Sequence, residues 1–398
     1  NAGNQCIVCH ATLGDTHQEI LKNFENDVHK HSGLSCHSCH GGNPNAEDAG
    51  EAMNPQAGFV GAPTPGDTPS FCGKCHSRPA FMKKYNPSLP VDQQEKYFTS
   101  IHGKRLKTGD THVATCSSCH SAHSILPARE PMSSVYPKNI PGTCGRCHSD
   151  PKRMAPYKIP TDQEAKYVNS VHGKALLEKG DISAPVCNDC HGNHGAAPPG
   201  VDAIEFVCGI CHVHNLELFQ ASPMVGPWGQ KKFHGCAVCH TNHDIRHPTS
   251  QMLDSEKGVC KKCHIPAHKG FKTGLQIKSF LDGVEANFER TEKLVQDAQG
   301  RGMDVTEAQD FLGQAKQSFF QARTEVHSFD AKRVEEIVKN GGEILSKTQA
   351  MTHKTLKDFR WRRIYLGIAT LLITWLAIAI YLKIRDIEKE EKIKDRRQ

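Results

Sequence analysis

The chain has 398 residues and a formal charge of +6, with 37% hydrophobic and 7% aromatic residues beside 18 cysteines and 25 histidines. That apolar supply is thin for the two or three ordinary domains the length suggests, and it argues against a plain globular enzyme built on a hydrocarbon core. Cysteine and histidine have to be accounted for first.

Taken in chain order, every cysteine falls into Cys-x-x-Cys-His, without remainder. The nine copies are CIVCH (Cys6, Cys9, His10), CHSCH (Cys36, Cys39, His40), CGKCH (Cys72, Cys75, His76), CSSCH (Cys116, Cys119, His120) and CGRCH (Cys144, Cys147, His148). CNDCH (Cys187, Cys190, His191), CGICH (Cys208, Cys211, His212), CAVCH (Cys236, Cys239, His240) and CKKCH (Cys260, Cys263, His264) complete the set. A disulfide framework gives no reason for a histidine after every second cysteine, and zinc sites would leave an odd motif unpaired. Covalent c-type haem requires the arrangement: two thiols form thioethers to the porphyrin and the next imidazole becomes the proximal iron ligand. The expected cofactors are therefore nine covalently bound c-type haems. Nine ferric haems, each with two propionates and one residual positive charge, turn the formal +6 into −3, which removes the case for a nucleic-acid partner.

Residues 1–270 carry all nine motifs and form the expected nonahaem head, in which haems supply the apolar interior and the chain wraps them in short helices and loops. Gly- and Pro-rich runs such as Gly41 to Pro69 agree with this. A repeat is present: CGKCH…YFTSIHGK…CSSCHSAH from Cys72 matches CGRCH…YVNSVHGK…CNDCHGNH from Cys144. Shortened copies start at Cys6 and Cys208, so the head reads as four haem pairs plus a ninth haem at Cys260.

Residues 271–360 change composition and read as a stalk of three amphipathic helices. Asp304 with Glu307 makes a capping-box-like start for the second, whose stripe of Leu312, Phe319 and Phe320 is expected to pack against the haem head. Residues 361–383 form one transmembrane helix, with 19 uncharged residues from Ile364 to Leu382 and Trp361, Tyr365 and Tyr381 at interfacial positions. Residues 384–398 are a charged tail, expected on the cytoplasmic side because haem attachment places the head on the periplasmic side. Asn1 lies five residues before Cys6, so the chain is expected to begin after signal-peptide cleavage. The fold class is mainly α with extensive loops.

Sixteen histidines remain beyond the nine proximal ones, enough to give every iron a second imidazole. His102 and His172 share a place in Tyr-x-x-Ser-x-His-Gly, and His29 has the matching position in the first pair. His123, His194 and His243 recur at the third residue after Cys-x-x-Cys-His. These six are the expected distal ligands, with His234, His268 and His327 as further candidates. His17, His31, His37, His112, His214, His247 and His353 are less favoured. In the third repeat Met224 stands where His102 and His172 stand. Either it ligates iron as a thioether, which raises the reduction potential, or His234 takes over.

These motifs, in this order over roughly residues 1–355, resemble the periplasmic multihaem cytochromes c related to hydroxylamine oxidoreductase and octahaem tetrathionate reductase. The resemblance implies a mostly helical head with haems in alternating parallel and perpendicular stacks, usually bis-histidine, serving either an enzyme or a conduit. A Cys-x-x-Cys-Lys motif, which marks the open haem in several relatives, does not occur here. A haem cross-linked to tyrosine would draw on Tyr85, Tyr97, Tyr136, Tyr157 or Tyr167. The expected function is electron transfer along the haems of a membrane-anchored subunit. Its partners would be a quinone-reactive membrane redox subunit, the lipid bilayer and periplasmic electron-transfer proteins. The alternative is a multihaem oxidoreductase acting on a small nitrogen or sulfur compound at one open haem. No Rossmann or P-loop signature points to a nucleotide or flavin.

Overall fold

Glycine and proline recur often before residue 250, which keeps the helices there short. A computed structural model describes residues 4–199, 204–231 and 235–395. It is helical throughout, with extensive loops and no strand among the described residues. Two compact units emerge: residues 1–210 with 232–248, and residues 211–231 with 249–398.

In the first unit the longest helix among the described residues is Asp15–Phe24, with 10 residues. Seven buried hydrophobic side chains are described there, from Ala46 to Val186, whereas among the described residues both apolar clusters lie in the second unit. So small a hydrocarbon interior agrees with a unit whose apolar centre is supplied by something other than side chains.

The second unit has a conventional core. Helices Lys269–Gly300, Thr306–Glu325 and Ala331–Asp395 pack as a three-helix bundle. Its buried positions recur at alternating steps of four and three: Ala308, Leu312, Ala315 and Ala322 on the second helix, and Val334, Gly341, Leu345, Thr348 and Thr352 on the third. Gly341 lets that helix approach the second, since a Cβ there would stand 3.2 Å from Ser318 Cβ. The buried hydroxyls are satisfied internally: Thr291 donates to Asn287 O at 2.7 Å, and Gln349 Nε2 donates to Thr291 Oγ1 at 2.7 Å.

Two local expectations are corrected. Leu312 is buried within the bundle and Phe319 packs against both of its clusters, while Phe320 is 46% exposed, so Leu312 and Phe319 serve the bundle itself. Asp304 does not form a capping box. Its Oδ1 accepts from Thr306 N at 3.0 Å and Thr306 Oγ1 at 2.8 Å in a turn ahead of the helix. The ninth motif belongs to this unit: the segment Cys260–Lys262 lies against the first bundle helix, where Gly274 leaves room for the Cys260 thiol.

The third bundle helix continues without a break into the apolar segment, 65 residues in all. Its apolar part is long enough to cross a membrane and none of it is buried. Thr370 and Thr374 return their hydroxyls to Leu366 O and Thr370 O at 2.8 Å each, so these two hydroxyls are paired within the helix. This helix fits a single-pass membrane anchor.

Candidate functional site

Five of the motifs start in one of two ways. At Cys36, Cys116 and Cys187 a short helix opens with its third residue reaching back: Ser38 Oγ, Ser118 Oγ and Asp189 Oδ2 accept from the N–H of Ser35, Thr115 and Val186 at 3.1, 3.0 and 2.7 Å. This explains the Ser or Asp before the second cysteine. At Cys72 and Cys144 the motif instead closes the longer helices Thr68–His76 and Ile140–His148. Their second residue is glycine, and a Cβ on Gly73 or Gly145 would oblige the end of the Gln94 or Glu164 side chain to move. Their third residue is basic and reaches the preceding motif: Lys74 Nζ donates to Cys39 O at 2.5 Å, and Arg146 Nη2 to Ser118 O at 2.9 Å.

The Tyr-x-x-Ser-x-His-Gly segment can be read residue by residue. Tyr97 and Tyr167 donate their hydroxyls to Ala114 O and Pro185 O at 2.9 Å each, pinning the chain just before the next motif. Burial pushes both phenols up to about 12. Ser100 and Ser170 cap the histidine-bearing helices Ile101–Lys107 and Val171–Leu177 by accepting from Gly103 N and Gly173 N at 2.9 and 3.0 Å. Gly103 and Gly173 are needed because a Cβ would meet the carbonyl oxygens of Tyr97 and Tyr167. The residue directly after the N-cap ties this helix to the following repeat: Val28 N donates to Ile125 O, Ile101 N to Ala196 O and Val171 N to Ile245 O, at 2.8, 3.0 and 2.8 Å. Each acceptor lies two residues after His123, His194 or His243.

The imidazoles come in twos. His29 faces His76 with ring centroids 5.9 Å apart, His102 faces His148 at 6.1 Å, and His264 faces His268 at 5.8 Å. His40 with His123, His120 with His194 and His191 with His243 lie at 6.0, 6.1 and 5.8 Å with nearly parallel rings. Two metal–nitrogen bonds of about 2 Å each, plus the half-width of each ring, place trans imidazole centroids at about 6 Å. Haem iron takes two protein ligands where structural zinc takes four, so paired rings on Cys-x-x-Cys segments fit haem. The pairs also interlock. The distal helix of one repeat reaches forward to the next repeat's first motif, and the histidine three residues after a second motif reaches back.

Hydrogen bonds orient several rings. The Nδ1 of His40, His191 and His327 meets Gly61 O, Ala197 O and Thr324 O at 2.8, 3.2 and 2.8 Å, which assigns the proton to Nδ1 and leaves Nε2 for a metal. Burial holds His76, His102, His120, His123, His148, His194 and His243 below the usual histidine range, the neutral form a ligand needs. Gln93 and Gln163, at equivalent positions of the two long repeats, each keep a buried amide oxygen with no partner in the chain. An amide that can turn either end outward suits a propionate-bearing group at that spot.

No cysteine is in a disulfide. The first thiols within a haem pair nevertheless lie within hydrogen-bond reach: Cys72 with Cys116, Cys144 with Cys187 and Cys208 with Cys236. Disulfides would account for such proximity, but not for the imidazole pairs beside it. Between successive pairs, Cys39 interacts with Cys75, and Cys119 with Cys144. The attachment points from Cys36 to Cys187 therefore follow one another in space in the order of the sequence.

The remaining candidates are placed as follows. His17, less favoured from the sequence, faces His10 at 5.0 Å from the helix that packs beside the first motif. It lies outside the repeated segment, so no second copy marks it. His327 sits under Thr324 and Asn215 and feels the charge of His212, bringing those two together within the second unit. His172 occupies the third copy of the distal helix. Met224 is half-buried in the turn before Val225–Lys231, its N–H on Ser222 Oγ at 3.2 Å. His234 lies outside the described residues. Three tyrosines are committed elsewhere: Tyr97 and Tyr167 as above, and Tyr157 to Asp110 Oδ1 at 3.2 Å.

Residues 28–149 match the cytochrome c3 family. The matched stretch runs from the first distal helix through the motifs at Cys36, Cys72, Cys116 and Cys144. It supports a multihaem c-type cytochrome, with covalently bound haem and a role in electron transfer. The searches of curated proteins and of solved structures return no match.

Proposed function

We propose that the chain is a membrane-anchored cytochrome with nine c-type haems that passes electrons between a quinone-linked partner in the membrane and soluble periplasmic proteins. Bound haem supplies the one-electron chemistry. The chain supplies two axial imidazoles per iron, burial, and an order of attachment points that follows the sequence. The observation that carries the reading is the interlocked pairing of His29 with His76, His40 with His123, His102 with His148 and His120 with His194. Paired imidazoles leave little geometric change on reduction, which suits a conduit. The head is placed on the periplasmic side and the tail from residue 384 on the cytoplasmic side. The resemblance to the hydroxylamine oxidoreductase and octahaem tetrathionate reductase cytochromes belongs to the same proposal, with the anchor and ninth motif as additions.

The test is stoichiometry. Full-length protein in mild detergent should carry nine haems by pyridine haemochromogen assay and intact mass, take up nine electrons, and copurify with a quinone-reactive membrane subunit. Free or disulfide-bonded thiols with bound zinc and no haem would overturn the reading.

A further inference from the structure

The distal helices invite comparison with one another, since the fold repeats them. Ser100 and Ser170 cap two of them, and the residue in the same place on the first, Val28–His31, is Asp27. Asp27 is 1% exposed. Its Oδ1 accepts from His29 N at 2.8 Å, as the serine oxygens accept from their own helices. The carboxylate does two things the serines do not. Its Oδ2 accepts from Ile125 N at 2.8 Å, adding a second bond to the tie between repeats. Its Oδ1 also accepts from Nδ1 of His29 itself, at 2.9 Å, whereas Ser100 Oγ is engaged with Gly103 N and Tyr97 O.

We infer that Asp27 is a positioning residue that sets the haem attached at Cys72 and Cys75 to a lower reduction potential than its counterpart at Cys144 and Cys147. This rests on the haem reading above. A buried carboxylate on the outer nitrogen of an axial histidine fixes the ring with Nε2 toward the metal and makes the imidazole a stronger donor. A stronger donor stabilises the ferric state more than the ferrous one. Ser100 gives the His102 ring no such partner, so two otherwise matching haems are distinguished by one side chain. The negative charge of Asp27 also reaches His123 and Cys39, so the neighbouring haem at Cys36 should feel a smaller effect in the same direction, through space only.

The experiment is a spectroelectrochemical titration, followed also by EPR, of the full-length holoprotein and three variants. Asp27→Asn keeps the hydrogen-bond acceptor and removes the charge. Asp27→Ser reproduces the sister repeats, and Ser100→Asp installs the carboxylate beside His102. Removing the charge should raise the main affected component by at least tenfold in its ferric–ferrous equilibrium constant, which is 59 mV for one electron. Ser100→Asp should lower a different component. Haem content by pyridine haemochromogen separates this proposal from the haem reading, since wild-type protein without haem defeats the latter. Fully haem-loaded Asp27→Asn with an unchanged titration would overturn the role of Asp27. If the Asp27 variants do not accumulate, the Ser100→Asp titration decides: a downward shift supports the proposal and no shift overturns it.

Discussion

His17 is brought beside a motif histidine by packing alone. It stands on Asp15–Phe24, folded back against the first motif, and its ring meets His10 edge-on. His17→Ala should convert one haem from low-spin to high-spin and make it bind cyanide, seen in the absorption and EPR spectra. The same change at His112, which is exposed, should leave both spectra unchanged. The other rings were readable because the repeat prints them more than once: His29, His102, His123, His194 and His243 all stand at copied positions and all face a motif histidine. Asp27 belongs to no motif and was not singled out in the sequence. Its second role depends on Ile125, 98 residues away in sequence, being brought beside it.

At the scale of elements, the distal helix works as a unit in which tyrosine, serine, histidine and glycine have separate duties. The tyrosine anchors the approach to the next motif, the serine caps, and the glycine admits a carbonyl at a distance no Cβ tolerates. Gly103→Ala should therefore displace the His102 helix. Haem loading of Gly103→Ala is compared with that of Gly14→Ala, where φ is −59° and nothing lies within 4 Å of an added Cβ. The expected result is a loss of about one haem's worth of low-spin signal in the first variant and none in the second. The bundle follows different rules. Its three helices were visible in the apolar periodicity, yet the partner of Leu312 and Phe319 was not, because a stripe states that a face is buried without stating what covers it. Leu345 is fully buried at its centre. Leu345→Ala should cost about 3 kcal/mol, on the order of a hundredfold in local opening, measured as faster amide exchange across residues 269–355 of the full chain.

At the scale of the molecule, the shortage of hydrophobic residues falls on one unit. The second unit has apolar clusters, a polar layer and a helix that continues into the anchor, while the first has few buried hydrocarbons and many facing imidazoles. Counting cysteines gives nine motifs, but the assignment of the ninth to the bundle unit could not be counted, since it depends on Cys260 lying against Gly274. The anchor fits a protein that exchanges electrons at a membrane surface. The conduit and the oxidoreductase differ in one property, whether any iron keeps an open position. EPR of the oxidised full-length protein, before and after adding cyanide or nitrite, tests this most directly. The conduit predicts low-spin ferric haems throughout, with no change on addition. A high-spin ferric fraction that binds either anion would contradict it and turn the assignment towards an enzyme.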